Sequence, residues 1–262
     1  MKRLLALLVA TLVVIGLSPV TFAPPNPNAD PSDRGPLTKI VFIHYKKGFG
    51  HKPNNNPGNG GNGGTEGPPC YTLLAKDAKW KTVENAQVNP TNSGLNSSFL
   101  VANTLTSREV WDAQTSQELF GNTITVNTSA DWDGDAGDLP DGRNEYSFGS
   151  TGPGVIAVTV VWGYFSAPPP FRELIEYDVL FNTVGITWGD AGPTNEISLG
   201  NTSVMDYLNI AVHETGHGAG LGDVYDVVCT EVTMFGFSTE GETKKRTLAA
   251  QDINGLHRLY PA

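Results

Sequence analysis

Residues 213–223 read HETGHGAGLGD, and this stretch is the most informative part of the chain. Side chains four residues apart share one face of an α-helix, so His213 and His217 can direct ring nitrogens at one metal ion. Glu214 lies one position further round the helix and stays unligated beside that ion. The spacing therefore predicts two metal ligands and an adjacent carboxylate base on one helical turn.

The residues after the second histidine supply a third candidate ligand. Gly220 has no Cβ and can take the left-handed conformation that ends a helix, which turns the chain so that Asp223 reaches the same ion. Two imidazoles favour zinc over calcium or magnesium. Three protein ligands leave zinc a position for water, whose pKa the ion lowers, and Glu214 is the candidate general base. The alternative is a helix that carries this short motif by chance.

Two features beyond the motif extend the pattern. Met234 follows Asp223 by eleven residues, and residues 248–260 read LAAQDINGLHRLY. Together with the motif they resemble the metzincin zinc endopeptidases, among which the matrixins are the nearest subgroup. The resemblance covers most of residues 71–260. It departs from matrixins at Asp223, where they have histidine and snapalysin-like metzincins have aspartate, and at Gly236, where they have proline, so substrate specificity is not predicted.

The resemblance implies an α+β fold, with a twisted mixed five-stranded sheet packed on an active-site helix and a C-terminal helix after a Met-containing turn. It implies a secreted metalloendopeptidase that hydrolyses protein or peptide substrates. Zinc would be held by His213, His217 and Asp223, and Glu214 would activate the attacking water. Met234 would form an apolar floor beneath the metal without bonding to it.

Two other functions remain open. One is an exported peptide-binding or surface protein that keeps a metal for stability. Glu214 argues against it, because a structural zinc needs four ligands and no adjacent base. The other is an enzyme that processes a single partner protein.

The first 23 residues are predicted to be a secretory signal. Lys2 and Arg3 precede an apolar run over residues 4–17, and small residues flank a cleavage position after Ala23. The alternative is a membrane anchor, but the run is short for a bilayer. No later segment is apolar enough to span a membrane, and the formal net charge of −10 argues against nucleic acid as a partner. The mature protein is expected to be secreted.

Residues 24–69 are predicted to form a short N-terminal segment and a linker rich in Gly, Asn and Pro, and residues 70–262 the catalytic domain. Within the segment, residues 39–47 have the pattern of a strand. This strand could be a pro-segment, an addition to the catalytic sheet or a surface arm. His44 and His51 are expected to be solvated.

The chain has two cysteines, Cys70 and Cys229. In an exported protein they most simply form one disulfide, which would tie the start of the domain to the loop before Met234. The alternative follows from the resemblance, because matrixin propeptides carry a cysteine in a short motif that contains Pro and Gly. Cys70 would then act as a latency switch whose thiolate occupies the open position on zinc.

An acidic, glycine-rich loop spans residues 131–142. Oxygen-rich loops of this kind bind calcium, and the candidate ligands are Asp131, Asp133, Asp135 and Asp138. Matrixins often hold structural calcium in this part of the sheet, which also favours a site. The alternative is a solvated acidic loop.

The remaining elements follow from periodicity. A helix is predicted from the cap at Asn96 to about Leu119, and Gly121 and Asn122 are expected to end it. The active-site helix is expected to begin near Ser203. Strands are predicted at residues 86–89, 123–128, 145–148, 155–162 and 174–182. Residues 155–162 could be an edge strand that pairs with substrate or a fully buried strand.

Overall fold

The computed structural model describes residues 34–49, 69–75, 77–192 and 201–262. The predicted secretory signal, His51 and residues 52–68 of the predicted linker lie outside the described residues. Within those ranges, no helix combines the length and apolar character needed to cross a bilayer.

The described strands are β1 (Thr38–Lys46), β2 (Thr72–Leu73), β3 (Glu84–Val88), β4 (Phe120–Val126), β5 (Asn144–Gly149), β6 (Val155–Gly163), β7 (Leu174–Asn182), β8 (Trp188–Gly189), β9 (Met205–Asp206), β10 (Leu221–Gly222) and β11 (Phe237–Ser238). The α-helices in the same ranges are α1 (Ser97–Asp112), α2 (Tyr207–Gly218) and α3 (Ala250–His257). Short 3-10 turns lie at Pro169–Phe171, Val227–Cys229 and Lys244–Arg246.

Seven of the described strands form one mixed sheet in the order β11-β1-β6-β7-β5-β3-β4. Strand β3 pairs in parallel with β4 and β5, and β5 pairs in parallel with β7. Strand β6 runs antiparallel to β7. The α+β class is confirmed, but the predicted count of five strands is wrong because β1 and β11 also join the sheet. Strand β11 has only two residues, too few for a period-2 pattern to reveal it.

Strand β6 is buried at every position and has a partner on each side. It pairs antiparallel with β1 on one side and with β7 on the other. With β1 in place the strand is therefore fully buried, and β1 occupies the edge of β6 at which the other alternative placed the substrate. The same pairing shows that residues 39–47 contribute a strand to the sheet and are not a surface arm.

Helix α1 begins as predicted but ends early. The Asn96 side chain accepts a hydrogen bond from the backbone N–H of Ser98 at 2.8 Å, which caps the first turn. The helix ends at Asp112, whose Oδ1 accepts from the backbone N–H groups of Leu119 and Phe120. The chain is thereby turned into β4, so Gly121 and Asn122 lie inside a strand.

Helix α2 begins at Tyr207, not near Ser203 as predicted. Asp206 is the cap, because its Oδ1 accepts from the backbone N–H of Asn209 at 2.8 Å. The preceding residues are held extended in β9. Beyond the C-terminus of α2, Gly220 has φ of +101°, so the predicted left-handed turn is confirmed. Helix α2 packs against β6 and β7 of the sheet and against α1, and its residues are almost entirely buried.

Candidate metal centre

The three predicted ligands converge. His213 and His217 lie on the same face of α2, and the turn at Gly220 brings Asp223 back against them. Oδ1 of Asp223 lies 3.2 Å from Nε2 of His213 and 3.6 Å from Nε2 of His217. The ligand atoms of all three residues lie within 4.8 Å of one another. This spacing lets one cation contact all three atoms.

Backbone carbonyls set the orientation of both imidazoles. Nδ1 of His213 donates to the carbonyl oxygen of Thr233 at 2.7 Å, and Nδ1 of His217 donates to that of Leu221 at 2.9 Å. Because a carbonyl only accepts, Nδ1 carries the proton and Nε2 carries the lone pair. Neither Nε2 atom has a hydrogen-bond partner among the described residues. Two buried lone pairs beside a carboxylate oxygen fit a divalent zinc ion.

Burial keeps the two histidines neutral. It lowers the pKa of His217 to about 4, and with the nearby Lys245 cation it lowers the pKa of His213 well below its usual range. Burial also raises the pKa of Asp223, whose Oδ2 accepts a hydrogen bond from the Tyr225 hydroxyl at 3.0 Å. Neutral imidazole is the form that binds a metal.

Glu214 lies beside the three converging residues, and both of its carboxylate oxygens have partners. The Thr159 hydroxyl of β6 donates to Oε2 at 2.6 Å, and Nδ1 of His44 in β1 lies 2.9 Å from Oε1. Burial raises the pKa of Glu214 to about 8, against the Thr159 hydrogen bond, which lowers it. A carboxylate whose pKa lies near neutrality is suited to moving a proton.

The prediction that His44 is solvated is wrong. The residue is 1% exposed, and its ring centroid lies 3.9 Å from that of His213. The alternation in β1 could have predicted this burial, since a strand places residues 42 and 44 on one face and residues 41 and 43 on the other. Thr159 carried no such signal, because nothing in its local sequence shows which residue its hydroxyl meets.

Met234 packs directly beneath α2. A Cβ added at Gly216 would lie 2.3 Å from Sδ of Met234 and 2.7 Å from Cζ2 of Trp111, so α2 can approach this floor only with glycine at 216. Asp252 of α3 fixes the turn that carries Met234, because its two carboxylate oxygens accept from the backbone N–H groups of Thr233 and Met234. The observed packing agrees with an apolar floor.

Gly236, where matrixins have proline, also has a steric reason. A Cβ at this position would lie 2.4 Å from Cε1 of Tyr225, whose hydroxyl holds Asp223. The glycine thus lets the turn after Met234 approach the Tyr225 ring.

Cys70 and Cys229 form a disulfide, with Cα atoms 5.4 Å apart. The predicted disulfide is confirmed. The switch alternative is wrong, because both sulfur atoms are used in the bond. The disulfide ties residues near β2 to the loop that connects Asp223 with Met234.

The acidic loop brings together a different set of carboxylates from the one predicted. Asp133 converges with Asp141 and Glu176, whose oxygens lie within 4.8 Å of one another. The structure does not bring the other three predicted residues into this group. Asp135 and Asp138 bond within the loop, and the backbone N–H of Asp131 donates to Glu145.

Buried carboxyl groups of β5 and β7 lie beneath this loop. Burial raises the pKa of Asp178 to about 9, and the pKa values of Glu145 and Glu176 to about 7. Oε1 of Glu176 is buried without a hydrogen-bond partner in the part of the chain that is described. Oxygen atoms in this arrangement suit calcium. The β5 and β7 residues escaped prediction because the sheet, and not the local sequence, places them under the loop.

No family model and no curated protein matches this chain. Its function therefore has to be inferred from the described residues.

Proposed function

We propose that the protein is a secreted zinc-dependent endopeptidase of the metzincin type. His213, His217 and Asp223 would hold the zinc ion, and Glu214 would be the general base. The observation that carries this proposal is the convergence of two neutral Nε2 atoms, neither hydrogen-bonded by any described residue, and one carboxylate oxygen beside a fourth residue that can move a proton. A chance helix with the same motif has no reason to orient both imidazoles through their Nδ1 atoms.

When bound, zinc would polarise a peptide carbonyl and lower the pKa of a water molecule. Glu214 would accept a proton from the attacking water and return it to the leaving amine. The Thr159 hydroxyl would hold Oε2 of Glu214 in place, so that the carboxylate keeps one orientation through both transfers. Met234 would support the helix from below and make no bond to the metal.

Two further features support this proposal. The Cys70–Cys229 disulfide is typical of proteins that fold in oxidising compartments, which agrees with secretion. The carboxylates of Asp133, Asp141 and Glu176 would hold a structural calcium ion between the acidic loop and the sheet.

The second candidate is an exported peptide-binding or surface protein with a metal-stabilised, catalytically weak site. The observation that favours it is the contact of His44 with Glu214, because one oxygen of the candidate base is already engaged by a protein group. The two candidates predict different effects of Glu214 on hydrolysis.

The decisive experiment replaces Glu214 with alanine. We expect Glu214→Ala to abolish peptide hydrolysis and to leave about one zinc per chain, since the base is not a ligand. Glu231→Ala is the matched control, because Glu231 is exposed and lies outside the site. Hydrolysis is measured on casein with and without o-phenanthroline, and zinc by elemental analysis. The test uses the native chain and the His44→Asp chain described below, because β1 covers the site.

Substantial cleavage by Glu214→Ala would overturn the role of the base. Zinc bound at one per chain without any Glu214-dependent hydrolysis, on casein or on a broad peptide library, would favour the binding protein. Loss of zinc from His213→Ala would show that the bound metal occupies the proposed site.

A further inference from the structure

Strand β1 lies across the candidate metal centre as an added strand. It pairs antiparallel with β6 from Thr38 opposite Gly163 to Tyr45 opposite Val155. At its C-terminal end it also pairs in parallel with β11, at Tyr45 and Lys46. An extended peptide is thus held between two backbone segments, which is how many proteins accept peptide ligands.

The inward side chains of β1 cover the converging ligands. The ring of Phe42 stacks on that of His217 with centroids 3.9 Å apart and planes 8° apart, and the ring of His44 lies equally close to that of His213. Beneath this cover, His213, Glu214 and His217 are completely buried. A peptide substrate therefore has no access to them while β1 is in place.

His44 also engages the proposed base. Its Nδ1 lies 2.9 Å from Oε1 of Glu214, and the Thr159 hydroxyl occupies Oε2. Each oxygen of this carboxyl group then has a protein partner, and the His44 ring occupies space beside Oε1 that a water molecule would need. Strand β1 thus blocks both entry of substrate and transfer of the proton.

The opposite face of β1 is exposed. Val41 and Ile43 are 41% and 37% exposed, whereas Phe42 and His44 are buried. Residues 52–69, which follow β1 in the chain, have a low-complexity composition rich in Gly, Asn and Pro. One face of the strand therefore covers the candidate metal centre, whereas the side chains on the other face are exposed.

We propose that Thr38–Lys46 is a built-in pseudosubstrate that keeps the chain latent, with His44 bound to the general base. This inference rests on the proposed peptidase function. Activation then requires β1 to leave its place between β6 and β11. The latency device is a strand added to the sheet, and it does not involve the cysteines, which are bonded to each other.

The experiment compares two aspartate substitutions on adjacent residues of β1. His44→Asp removes the ring that packs on His213 and puts a carboxyl group in its place at a buried position, where its desolvation is costly, so we expect it to expel the strand. Ile43→Asp is the matched control, because the same change on the exposed face leaves those contacts in place. Both are made in the full chain loaded with zinc.

Two measurements are made on each variant. Hydrogen exchange of residues 38–46, followed by mass spectrometry, reports whether the strand has left. Hydrolysis of a quenched fluorescent peptide library reports whether the site has opened. We expect both rates to rise about tenfold or more in His44→Asp. The loss of a buried contact of this kind costs more free energy than a tenfold change in an equilibrium constant requires. Ile43→Asp should stay within about twofold of the native chain.

A separate peptide with the sequence of β1 provides a second test of the pseudosubstrate. The synthetic peptide TKIVFIHYK, which has the sequence of residues 38–46, should inhibit His44→Asp competitively. A scrambled peptide of the same composition should not. Should His44→Asp fail to fold, His44→Ala removes the contact with Glu214 without adding a charge, and it should also raise the hydrolysis rate.

The outcomes separate this inference from the proposed function. Equal hydrolysis by the native and His44→Asp chains, with rapid exchange of residues 38–46 in both, would overturn latency and leave the peptidase function standing. A freed strand in His44→Asp with zinc bound but no hydrolysis would overturn the peptidase function itself. Failure of the peptide to inhibit an active His44→Asp chain would overturn the pseudosubstrate.

Discussion

Replacing Gly216 with alanine tests the packing beneath the candidate metal centre. Gly216 lies on α2 between the two histidines, and an added Cβ would lie 2.3 Å from Sδ of Met234 and 2.7 Å from Cζ2 of Trp111. Both neighbours are completely buried. The Trp111 ring is also held by a hydrogen bond from its Nε1 to the carbonyl oxygen of Val212 at 2.9 Å. Neither neighbour can therefore move aside freely.

Two opposing effects set the expected change in the free energy of unfolding. Alanine is favoured over glycine inside a helix by about 1 kcal/mol. Overpacking a buried site costs about 1–3 kcal/mol, and contact with a rigid, anchored ring places this site at the upper end of that range. The net loss in the free energy of unfolding should be about 2 kcal/mol. For a domain of this size, that loss corresponds to about 4–8 °C in Tm.

The assay is urea unfolding together with thermal melting, both with zinc added in equimolar amount. A double-mutant cycle with Met234→Ala locates the clash, because the two substitutions together should cost less than the sum of their separate effects. Gly152→Ala is the control, since its Cβ would meet only Cγ2 of Val155 at 3.8 Å. If Gly216→Ala were as stable as the native chain, the close packing of α2 on Met234 would be refuted.

Two further predictions concern the disulfide and the acidic cluster. Replacing both Cys70 and Cys229 with alanine should lower the free energy of unfolding by up to about 5 kcal/mol, because the disulfide closes a loop with a sequence separation of 159 residues. Urea unfolding measures this loss, and an unchanged unfolding midpoint would contradict the prediction. Burial raises the pKa of Asp178 to about 9 and that of Glu176 to about 7, so the folded protein holds their protons more tightly than the unfolded chain does. The stability that these protonated groups contribute is therefore complete below about pH 4 and is lost as the pH rises toward 9. After metal has been stripped with EDTA and the EDTA removed, Tm should therefore fall between about pH 5 and 9, and about 1 mM calcium should offset the fall. Asp178→Asn should flatten this dependence, and an unchanged slope would count against the cluster as its origin.

Several features of this protein were determined by the sequence alone. The spacing of His213 and His217 needs only the period of a helix, and the reversal at Gly220 needs only the absence of a Cβ. The pairing of Cys70 with Cys229 follows from there being two cysteines in a chain expected to be exported. These predictions succeeded because each depends on neighbouring residues or on a count.

Tertiary structure alone decided what surrounds those residues. His44 meets Glu214 across 170 residues of sequence, and Thr159 reaches the same carboxylate across 55. The first contact depends on the pairing of β1 with β6, and the second on the packing of α2 against β6. Local propensity identifies residues 39–47 as a strand but does not name its partner, because pairing is set by the packing of the whole sheet. The spacing of the candidate ligands was therefore predictable from the sequence, whereas the strand that covers them could be found only in the folded protein.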